Sequence, residues 1–486
     1  MRSRCGAWRQ IGTGLAVAAA VMTLTSGLAF AQADWTRRFP AHVPPKRMET
    51  AMAQFGPCPS PSGCGSNVVM FGGLNLGPTT GNFLAFDEFN VLGDTWIWDG
   101  TDWTQVTLSP APPARYGASM AWDSATGNAV LFGGQDALGR FLSDTWLFNR
   151  RAPCKLGPCL SNFRWTQVTY PTGAAVPPGR SGATLAAFAG LFSGSVVLTG
   201  GTTRSGLSLV RLDDTWEFDT STNTWSRQNL AGPPARSDAA IATCQGSGLA
   251  TSMLFGGFNG FLSAPLSDTW VYNFDLPRWF GPNLPQTTPS ARFGHRMANY
   301  PVSGFQVLYG GQAFNAATGT TVLPTDTWNG TCNPSPNTWS DPGGLANPAH
   351  NPGPRSLHGM TMGPNGATVV LFGGNDVTFP QSPTGPFPNG RDHDDTWTWG
   401  RRVVCLPVDG SEIRVGSDVW CQFDQTEGVQ FDGWTALGFA PPSPSLPTTT
   451  FHPRGPGAAS ITARWSDAEG EHTATFSYTV TTPNRR

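Results

Sequence analysis

The sequence predicts an all-β protein: six repeated sheets arranged as a closed propeller, followed by a small β-sandwich. Three observations predict this fold class. One sequence unit recurs six times, and no stretch beyond the N-terminus shows sustained 3.6-residue periodicity. Glycine and proline are abundant, with 59 and 43 among 486 residues. Because both residues interrupt helices and supply turns, this composition favours many short strands.

The N-terminal element is predicted to be a secretory signal over residues 1–31. A basic start is followed by a mostly apolar stretch, 11–28, and by an A-x-A cleavage site at Ala29-Phe30-Ala31. A membrane anchor is the alternative that these residues leave open. Cleavage leaves 27 basic and 32 acidic residues, a net charge of −5, and no basic patch, so we expect no nucleic-acid partner. No later apolar run could span a bilayer, so the expected location is secreted or periplasmic.

The repeated unit consists of an arginine, an apolar run that ends in Gly-Gly, and then Asp-Thr-Trp. The arginines are Arg47, Arg115, Arg180, Arg236, Arg292 and Arg355. The glycine pairs lie at 72–73, 133–134, 200–201, 256–257, 310–311 and 373–374. The Asp-Thr-Trp triplets lie at 94–96, 144–146, 214–216, 268–270, 326–328 and 395–397. Successive arginines are 68, 65, 56, 56 and 63 residues apart, which indicates a propeller of four-stranded blades.

The second repeat shows how one unit builds a blade. We expect a first strand in "GASMAWDS" and a second in "AVLF", which is apolar throughout and therefore buried on both faces. Gly133-Gly134 ends it, either because backbones crowd there or because the turn needs positive φ. Asp144 is expected to accept backbone hydrogen bonds at the start of the third strand, and Trp146 to pack between blades.

The ring is expected to close through its N-terminal strand. A second tryptophan marks the outer strand of five units, at Trp103, Trp165, Trp225, Trp279 and Trp339. None follows Trp397, but residues 33–47 have the same layout as 101–115 and place Trp35 in the missing position. The mature N-terminus should therefore supply the outer strand of the last blade, which removes free sheet edges. The predicted propeller has six blades and spans residues 32–400.

These units resemble kelch repeats. The residues that carry the resemblance are the Gly-Gly after an apolar run, the following Asp-x-Trp and the later tryptophan, over about residues 33 to 400. The resemblance implies a propeller fold and a habit of binding, but no particular reaction. Kelch propellers serve as interaction platforms, as sugar oxidases and as sugar epimerases.

Residues 401–486 are predicted to form a separate β-sandwich. Two alternating segments, "SITARWSD" and "HTATFSYTV", are predicted to form a hairpin, and other short strands surround them. This region resembles bacterial immunoglobulin-like modules, whose expected roles are spacing or binding.

Eight cysteines remain after signal cleavage, and we expect all of them to form disulfides. Cys58 and Cys64, Cys154 and Cys159, and Cys405 and Cys421 are local pairs that flank turns, as expected for hairpins pinned in an oxidising compartment. Cys244 and Cys332 remain as a fourth pair. The chain has no C-x-x-C and no histidine at ligand spacing, so no zinc site is predicted.

Two sets of repeat residues offer a candidate chemistry, copper binding by histidines and anion binding by the six arginines, and each set also has a possible structural role. The galactose-oxidase type joins a kelch propeller to an immunoglobulin-like domain, and its copper needs two tyrosines and two histidines. The best histidine pair available for a metal is His295 and His358. Each lies three residues past a repeat arginine and is expected near the channel. Packing is nevertheless the preferred role for both, and no metal or cofactor is predicted. The six arginines could form an anion site, as in a sialic-acid epimerase. Because ligand sites rarely use every repeat equally, pairing with the six Asp-Thr-Trp aspartates is preferred.

The candidate ligand site lies on the segments between Gly-Gly and Asp-Thr-Trp. These measure 20, 9, 12, 10, 14 and 20 residues, and the two longest, 74–93 and 375–394, become neighbours when the ring closes. Aromatic and polar groups on long loops suit a sugar or a peptide surface, although the phenylalanines could simply pack the loops down. The candidate site residues are Phe83, Phe86, Asp87, Phe89, Phe379, Phe387, Arg391 and His393. A metal or acid–base role for Asp392-His393-Asp394 is a weaker candidate.

The function expected from these observations is binding without catalysis. The chain is predicted to be an exported protein that binds a carbohydrate or a protein ligand on the face with the longest loops. The alternative is a carbohydrate-active enzyme of the galactose-oxidase or sugar-epimerase type.

Overall fold

The computed structural model describes most of the chain after the first 32 residues. The described residues are 33–56, 67–76, 89–150, 163–189, 194–244, 250–260, 264–283, 285, 287–300, 304–315, 320–331, 338–340, 351–364, 368–376, 391–400, 403–406, 412–423, 430–440, 446–467 and 470–482. The expected signal segment, 1–31, lies outside them. Within these ranges the regular elements are β-strands, and no helix has the length and apolar character needed to cross a membrane.

The strands before residue 401 are numbered β1 to β29 in chain order. They are β1 (Asp34–Arg38), β2 (Ala51–Phe55), β3 (Asn67–Leu76), β4 (Phe89–Trp98), β5 (Trp103–Val106), β6 (Ser119–Asp123), β7 (Asn128–Phe132), β8 (Thr145–Arg150), β9 (Phe163–Gln167), β10 (Thr184–Ala189), β11 (Gly194–Thr199), β12 (Thr202–Ser205), β13 (Ser208–Arg211), β14 (Thr215–Asp219), β15 (Thr224–Gln228), β16 (Ala240–Cys244), β17 (Thr251–Gly257), β18 (Leu266–Asn273), β19 (Arg278–Asn283), β20 (Arg292–Phe293), β21 (Arg296–Tyr300), β22 (Phe305–Tyr309), β23 (Gln312–Asn315), β24 (Thr320–Val322), β25 (Thr327–Thr331), β26 (Thr338–Ser340), β27 (Gly359–Met362), β28 (Val369–Phe372) and β29 (Thr396–Gly400).

These strands form a propeller of antiparallel four-stranded sheets, or blades. Within the described residues there are six such blades, ordered from the inner strand outward as β2-β3-β4-β5, β6-β7-β8-β9, β10-β11-β14-β15, β16-β17-β18-β19, β21-β22-β25-β26 and β27-β28-β29-β1. Each innermost strand contacts the innermost strand of the next blade, and β27 contacts β2. The inner strands therefore surround a central channel.

The last blade takes its outer strand from the N-terminal end of the chain. Strand β1 pairs antiparallel with β29, and Trp35 lies opposite Trp399. The outer-strand tryptophan of each blade also donates a hydrogen bond from Nε1 to the threonine of the preceding blade's Asp-Thr-Trp. These bonds join Trp35 to Thr327, Trp103 to Thr396, Trp165 to Thr95, Trp225 to Thr145, Trp279 to Thr215 and Trp339 to Thr269, at 2.9 to 3.1 Å. The same contact thus links every pair of neighbouring blades.

The second strand of each blade is buried on both faces, as its apolar sequence requires. In β7, residues Ala129 to Phe132 are at most 1% exposed. Both reasons proposed for the glycine pairs apply at Gly200. Its φ is +70°, and a Cβ there would lie 2.6 Å from the carbonyl oxygen of Arg236 in the next blade. Only glycine fits because the backbone is left-handed and the next blade is close.

The C-terminal region forms a β-sandwich. Its strands are β30 (Val403–Leu406), β31 (Glu412–Arg414), β32 (Val419–Phe423), β33 (Gln430–Leu437), β34 (Phe439–Ala440), β35 (Thr448–Pro453), β36 (Gly457–Asp467) and β37 (Gly470–Thr481). They form two four-stranded sheets, β30-β32-β35-β34 and β31-β37-β36-β33. Buried residues of both sheets share one hydrophobic core.

One of the four predicted disulfides lies wholly within the described residues. Cys405 and Cys421 are bonded to each other, which confirms that pairing. Cys244 is disulfide-bonded as well, and its predicted partner, Cys332, lies outside the described residues. Cys58, Cys64, Cys154 and Cys159 also lie outside them.

Candidate functional site

The six repeat arginines are structural. Each donates two hydrogen bonds to the aspartate of its own blade's Asp-Thr-Trp and one to the carbonyl oxygen of the first glycine of the pair, while the tryptophan Nε1 donates to the same aspartate. The pairs are Arg47–Asp94, Arg115–Asp144, Arg180–Asp214, Arg236–Asp268, Arg292–Asp326 and Arg355–Asp395. The arginine side chains are at most 2% exposed. The preferred pairing with the aspartates is therefore confirmed, and the guanidinium groups are buried in these pairs.

These ion pairs also explain the aspartate of each repeat. Burial alone would raise the pKa of these carboxyl groups, but the hydrogen bonds and charge of the arginine hold it below its usual value. The sequence reasoning expected backbone donors at this position, whereas the main donors are the arginine and the tryptophan. Two residues that lie 29 to 47 positions apart in the chain thus fix the start of the third strand.

A ring of six residues, which we call the collar, surrounds one end of the channel. Each collar residue lies two positions after a repeat arginine and has a left-handed backbone with φ between 53° and 66°. The N–H of each donates to the carbonyl oxygen of the collar residue in the preceding blade, at 2.7 to 3.0 Å, so the six bonds close a circle. The members are Glu49, Gly117, Gly182, Asp238, Gly294 and Leu357. This ring was not predicted from the sequence, although the constant spacing of its members from the repeat arginines was a usable signal.

The collar lies on the same face as the loops between Gly-Gly and Asp-Thr-Trp, which we call connector loops. In every blade the residue before the collar residue pairs with the residue that follows the glycine pair, as Tyr116 does with Gln135. We call this side of the propeller the connector face. The predicted loop face and the collar therefore belong to one surface.

The channel contains two chambers with different chemistry. The collar chamber, of about 100 Å³, is lined by Glu49, Asp238 and Arg296 among others. The second chamber, of about 170 Å³, has no charged side chain among its described lining residues. Both chambers are lined by six apolar residues of the innermost strands, which lie between them: Met52, Met120, Leu185, Ile241, Met297 and Met360.

Two carboxylates of the collar lean towards each other over neighbouring glycines. A Cβ at Gly117 would lie 2.8 Å from Oε2 of Glu49, and a Cβ at Gly182 would lie 2.6 Å from Oδ1 of Asp238. Burial and the charge of Asp238 raise the pKa of Glu49 to about 8, against a lowering effect of Arg296. Burial likewise raises the pKa of Asp238. The two glycines leave the room in which this acid pair lies.

Arg296 faces the same chamber without a direct ion pair. Its Nη1 donates to the carbonyl oxygen of His295 at 3.1 Å, and within the described chain no carboxylate lies within 4 Å of its guanidinium. Burial lowers its pKa, and the charges of Asp238 and Glu49 oppose that shift. The collar chamber thus holds acidic and basic side chains that make no ion pair with each other within the described chain.

The two candidate metal histidines are packed into the propeller wall. His295 and His358 are 0% exposed, and neither lines the channel chambers. The ring of His295 lies edge-on to Phe255 at 5.5 Å, and that of His358 lies 6.0 Å from Tyr309. Burial and nearby arginines hold the pKa of both well below its usual value. Each histidine directly precedes an innermost strand, β21 or β27, and its ring packs against a neighbouring aromatic side chain, which is the preferred role.

The predicted seam between the first and last blades is only partly described. Phe83, Phe86, Asp87, Phe379 and Phe387 lie outside the described residues, as does the side chain of Phe89, the first residue of β4.

The bases of the two long loops are described, and they meet. Oδ2 of Asp392 accepts from the N–H of Leu76 at 2.5 Å, and its Oδ1 accepts from Nδ2 of Asn375 at 2.6 Å. Arg391 is exposed beside them, while His393 is half-buried, and burial lowers its pKa. Asp392 therefore holds the two loop bases together.

The shorter connector loops expose apolar side chains that the sequence analysis did not single out. Leu138 is 77% exposed in the second blade, and Leu207 is fully exposed at the tip of the β12–β13 hairpin in the third. Leu209 and Val322 are exposed by 45% and 39%. Loops carried by a rigid scaffold are common sites of binding residues.

Comparisons with known proteins agree with the repeat pattern. Residues 61–311 match the model of the KLHDC2/KLHL20/DRC7 Kelch-repeats domain. Adagio-like protein 1 of Oryza sativa subsp. japonica is 29% identical over 287 residues, which cover 56% of this chain and 41% of that protein. An F-box/kelch-repeat protein of Arabidopsis thaliana is 32% identical over 164 residues, which cover 32% of this chain and 29% of that protein. The chain thus spans at most about two fifths of the length of these relatives.

A solved structure, that of YjhT, superimposes with a TM-score of 0.46 and 15% sequence identity. The superposition covers 74% of this chain and 96% of that chain.

Proposed function

The chain belongs to the KLHDC2/KLHL20/DRC7 Kelch-repeats domain family, and from that premise we propose that it is an exported binding protein whose protein partner docks on the connector face. Kelch propellers commonly act in protein interactions, so the family supports a binding role. The proposal adds the face, the compartment and the kind of partner.

The observation that carries the proposal is the set of exposed apolar side chains on the connector loops. Leu138, Leu207 and Leu209 lie on the connector loops of two adjacent blades, and their side chains are exposed to solvent. A protein partner would remove this apolar surface from water, at roughly 25 cal/mol per Å². Exposed leucines suit a protein surface better than a sugar, which is recognised through aromatic faces and polar groups.

Export is supported by the basic, apolar and A-x-A pattern of residues 1–31 and by the disulfide chemistry. The Cys405–Cys421 bond is of the kind that persists in oxidising compartments. We also propose that residues 401–486 are an immunoglobulin-like spacer that holds the propeller away from its point of attachment or from a neighbouring domain.

The test uses the full chain as bait with apolar-to-charged changes on opposite faces. Leu138→Glu and Leu207→Glu alter the connector loops, whereas Leu276→Glu alters the turn between β18 and β19 on the other face, where the leucine is 62% exposed. Captured proteins are identified by mass spectrometry, and each candidate is then purified and its affinity measured. We expect a partner that binds the native chain and Leu276→Glu equally and binds the two loop variants at least tenfold more weakly. Equal binding to all three variants would refute the assigned face.

A further inference from the structure

We propose that the collar chamber is a binding site for a small zwitterion of the α-amino-acid class. Its ammonium group would lie between the carboxylates of Glu49 and Asp238, and its carboxylate would pair with the guanidinium of Arg296. This site is separate from the protein-docking surface and does not depend on it.

The first step is that the ionisable side chains of the chamber make no ion pair with one another within the described chain. The carboxylate of Glu49 makes no hydrogen bond in the described chain, and Arg296 bonds only to a backbone carbonyl. A charged group taken out of water without a partner is costly, so folded proteins ordinarily pair such groups. Here Glu49, Asp238 and Arg296 surround one cavity without an ion pair among them in the described chain, and Ser237 is the side-chain hydrogen-bond partner of Asp238. The ammonium group of a ligand would favour the ionised form of Glu49, whose pKa is otherwise raised.

The second step is the arrangement of the two signs. The acid pair lies over Gly117 and Gly182, on the side of the collar formed by the second and third blades. Arg296 belongs to the fifth blade, and its charge acts on both Glu49 and Asp238. A ligand with a single charge would satisfy one group and be repelled by the other. A ligand that carries both charges satisfies the whole chamber.

The third step is size. The chamber's volume of about 100 Å³ is a few times the roughly 30 Å³ that one water molecule occupies in the liquid. It therefore suits a molecule of a few heavy atoms. The apolar residues between the two chambers, such as Met52 and Met297, would face the short side chain of the ligand.

The experiment compares three probes that carry different charges, of which N-acetyl-L-alanine is also larger by its acetyl group. L-alanine carries both charges, L-alaninamide lacks the carboxylate, and N-acetyl-L-alanine lacks the ammonium. Binding to the full chain is measured by calorimetry or by ligand-observed NMR at millimolar concentrations. We expect L-alanine to bind at least tenfold more tightly than either analogue. If N-acetyl-L-alanine bound as tightly as L-alanine, the chamber would be an anion site. If L-alaninamide bound as tightly as L-alanine, it would be a cation site. Either result overturns the proposal, as does the absence of L-alanine binding.

Variants locate the binding within the chamber. Glu49→Gln and Asp238→Asn keep the shape of each side chain and remove its ability to ionise. At pH 9, where Glu49 of the native chain is ionised, each should weaken L-alanine binding at least tenfold. Asp213→Asn is the matched control, because Asp213 is an exposed carboxylate in a connector loop outside the chamber. Thermal melting of each variant establishes that it is folded. L-alanine binding that survives both collar substitutions would overturn the assignment.

The pH dependence gives an independent readout. Since the pKa of Glu49 is about 8, this group carries a proton at neutral pH and loses it as the pH rises. The other titratable groups near it are Asp238, Arg296 and Tyr116, and the pKa of Tyr116 is raised by burial and by the charge of Glu49. Affinity for L-alanine should therefore increase from about pH 6 to about pH 9 in the native chain and stay flat in Glu49→Gln. Parallel pH profiles in the two proteins would contradict the role given to Glu49.

Discussion

Removal of the Trp35 side chain is the most direct test of how the ring is fastened. Trp35 is 2% exposed, its ring lies 5.0 Å from Tyr309 and 5.5 Å from Trp399, and its Nε1 donates to Thr327 at 2.9 Å. Replacing a buried tryptophan by alanine costs about 3–5 kcal/mol in lost burial and packing. The hydrogen bond alone contributes about 1 kcal/mol. We therefore expect Trp35→Ala to lower the free energy of unfolding by about 3–5 kcal/mol, and Trp35→Phe by about 1–2 kcal/mol.

The measurement is equilibrium unfolding in urea, followed by circular dichroism and by tryptophan fluorescence so that loss of cooperativity is detected. Trp225→Phe is the matched control. Trp225 makes the same bond to a threonine of the preceding blade, at 3.0 Å, but lies in an outer strand that is covalently continuous with its own blade. If β1 is an integral strand of the last blade, the two phenylalanine variants should lose similar stability.

A different result would refute this reasoning. If Trp35→Ala cost less than about 1 kcal/mol while Trp225→Phe cost its expected amount, β1 would not be held on β29 in solution. The exposed edge of β29 should then promote self-association, which light scattering would detect.

Three further changes test the ion pairs, the glycine pairs and the collar. Arg180→Met leaves Asp214, which is 8% exposed, without its partner, and should cost about 3–5 kcal/mol by denaturant unfolding. Gly200→Ala should cost more than Gly206→Ala, since both have positive φ but only Gly200 has a backbone oxygen within 2.6 Å of the added Cβ; equal losses would show that strain alone matters. A glutamate with a pKa near 8 in the folded chain and near 4.5 when unfolded makes folding less favourable as the pH rises between those values. The full pKa shift of Glu49 would lower the free energy of unfolding by about 5 kcal/mol across this pH range. Because solvent in the channel screens the group, we expect a loss of about 2–3 kcal/mol. Glu49→Gln should remove that loss, and stability curves that stay parallel from pH 5 to pH 8 would contradict the raised pKa.

The repeat signals fixed most of what could be predicted. The pairing of Arg115 with Asp144 and the place of Trp35 opposite Trp399 follow from one-to-one correspondences along the chain. Repeats are readable in this way because each blade solves the same packing problem with the same residues. The seam between the longest loops was also correctly inferred at its base, where Asp392 bonds to Leu76.

The collar chamber was not predicted, because its two acidic residues are not part of the repeated sequence pattern. Glu49 and Asp238 occupy positions where three of the other blades have glycine, and they lie nearly 190 positions apart in the sequence. Nothing local indicates that their carboxylates meet. The packing partner of His295 was likewise not indicated by the sequence, because Phe255 lies in the preceding blade, 40 positions earlier.

The sequence by itself thus determined the features of the blades: the number of repeats, the buried second strand of each, the arginine–aspartate ion pairs and the origin of the last outer strand. Each depends on contacts within one repeat or between identical surfaces of neighbouring repeats, and such contacts leave a periodic trace in the chain. Only the tertiary structure decided what the channel contains. The closed circle of backbone hydrogen bonds sets the width of the collar, and that width brings Glu49, Asp238 and Arg296 around one cavity. Groups that act across a ring have no fixed sequence spacing, so their meeting appears only when the ring is closed.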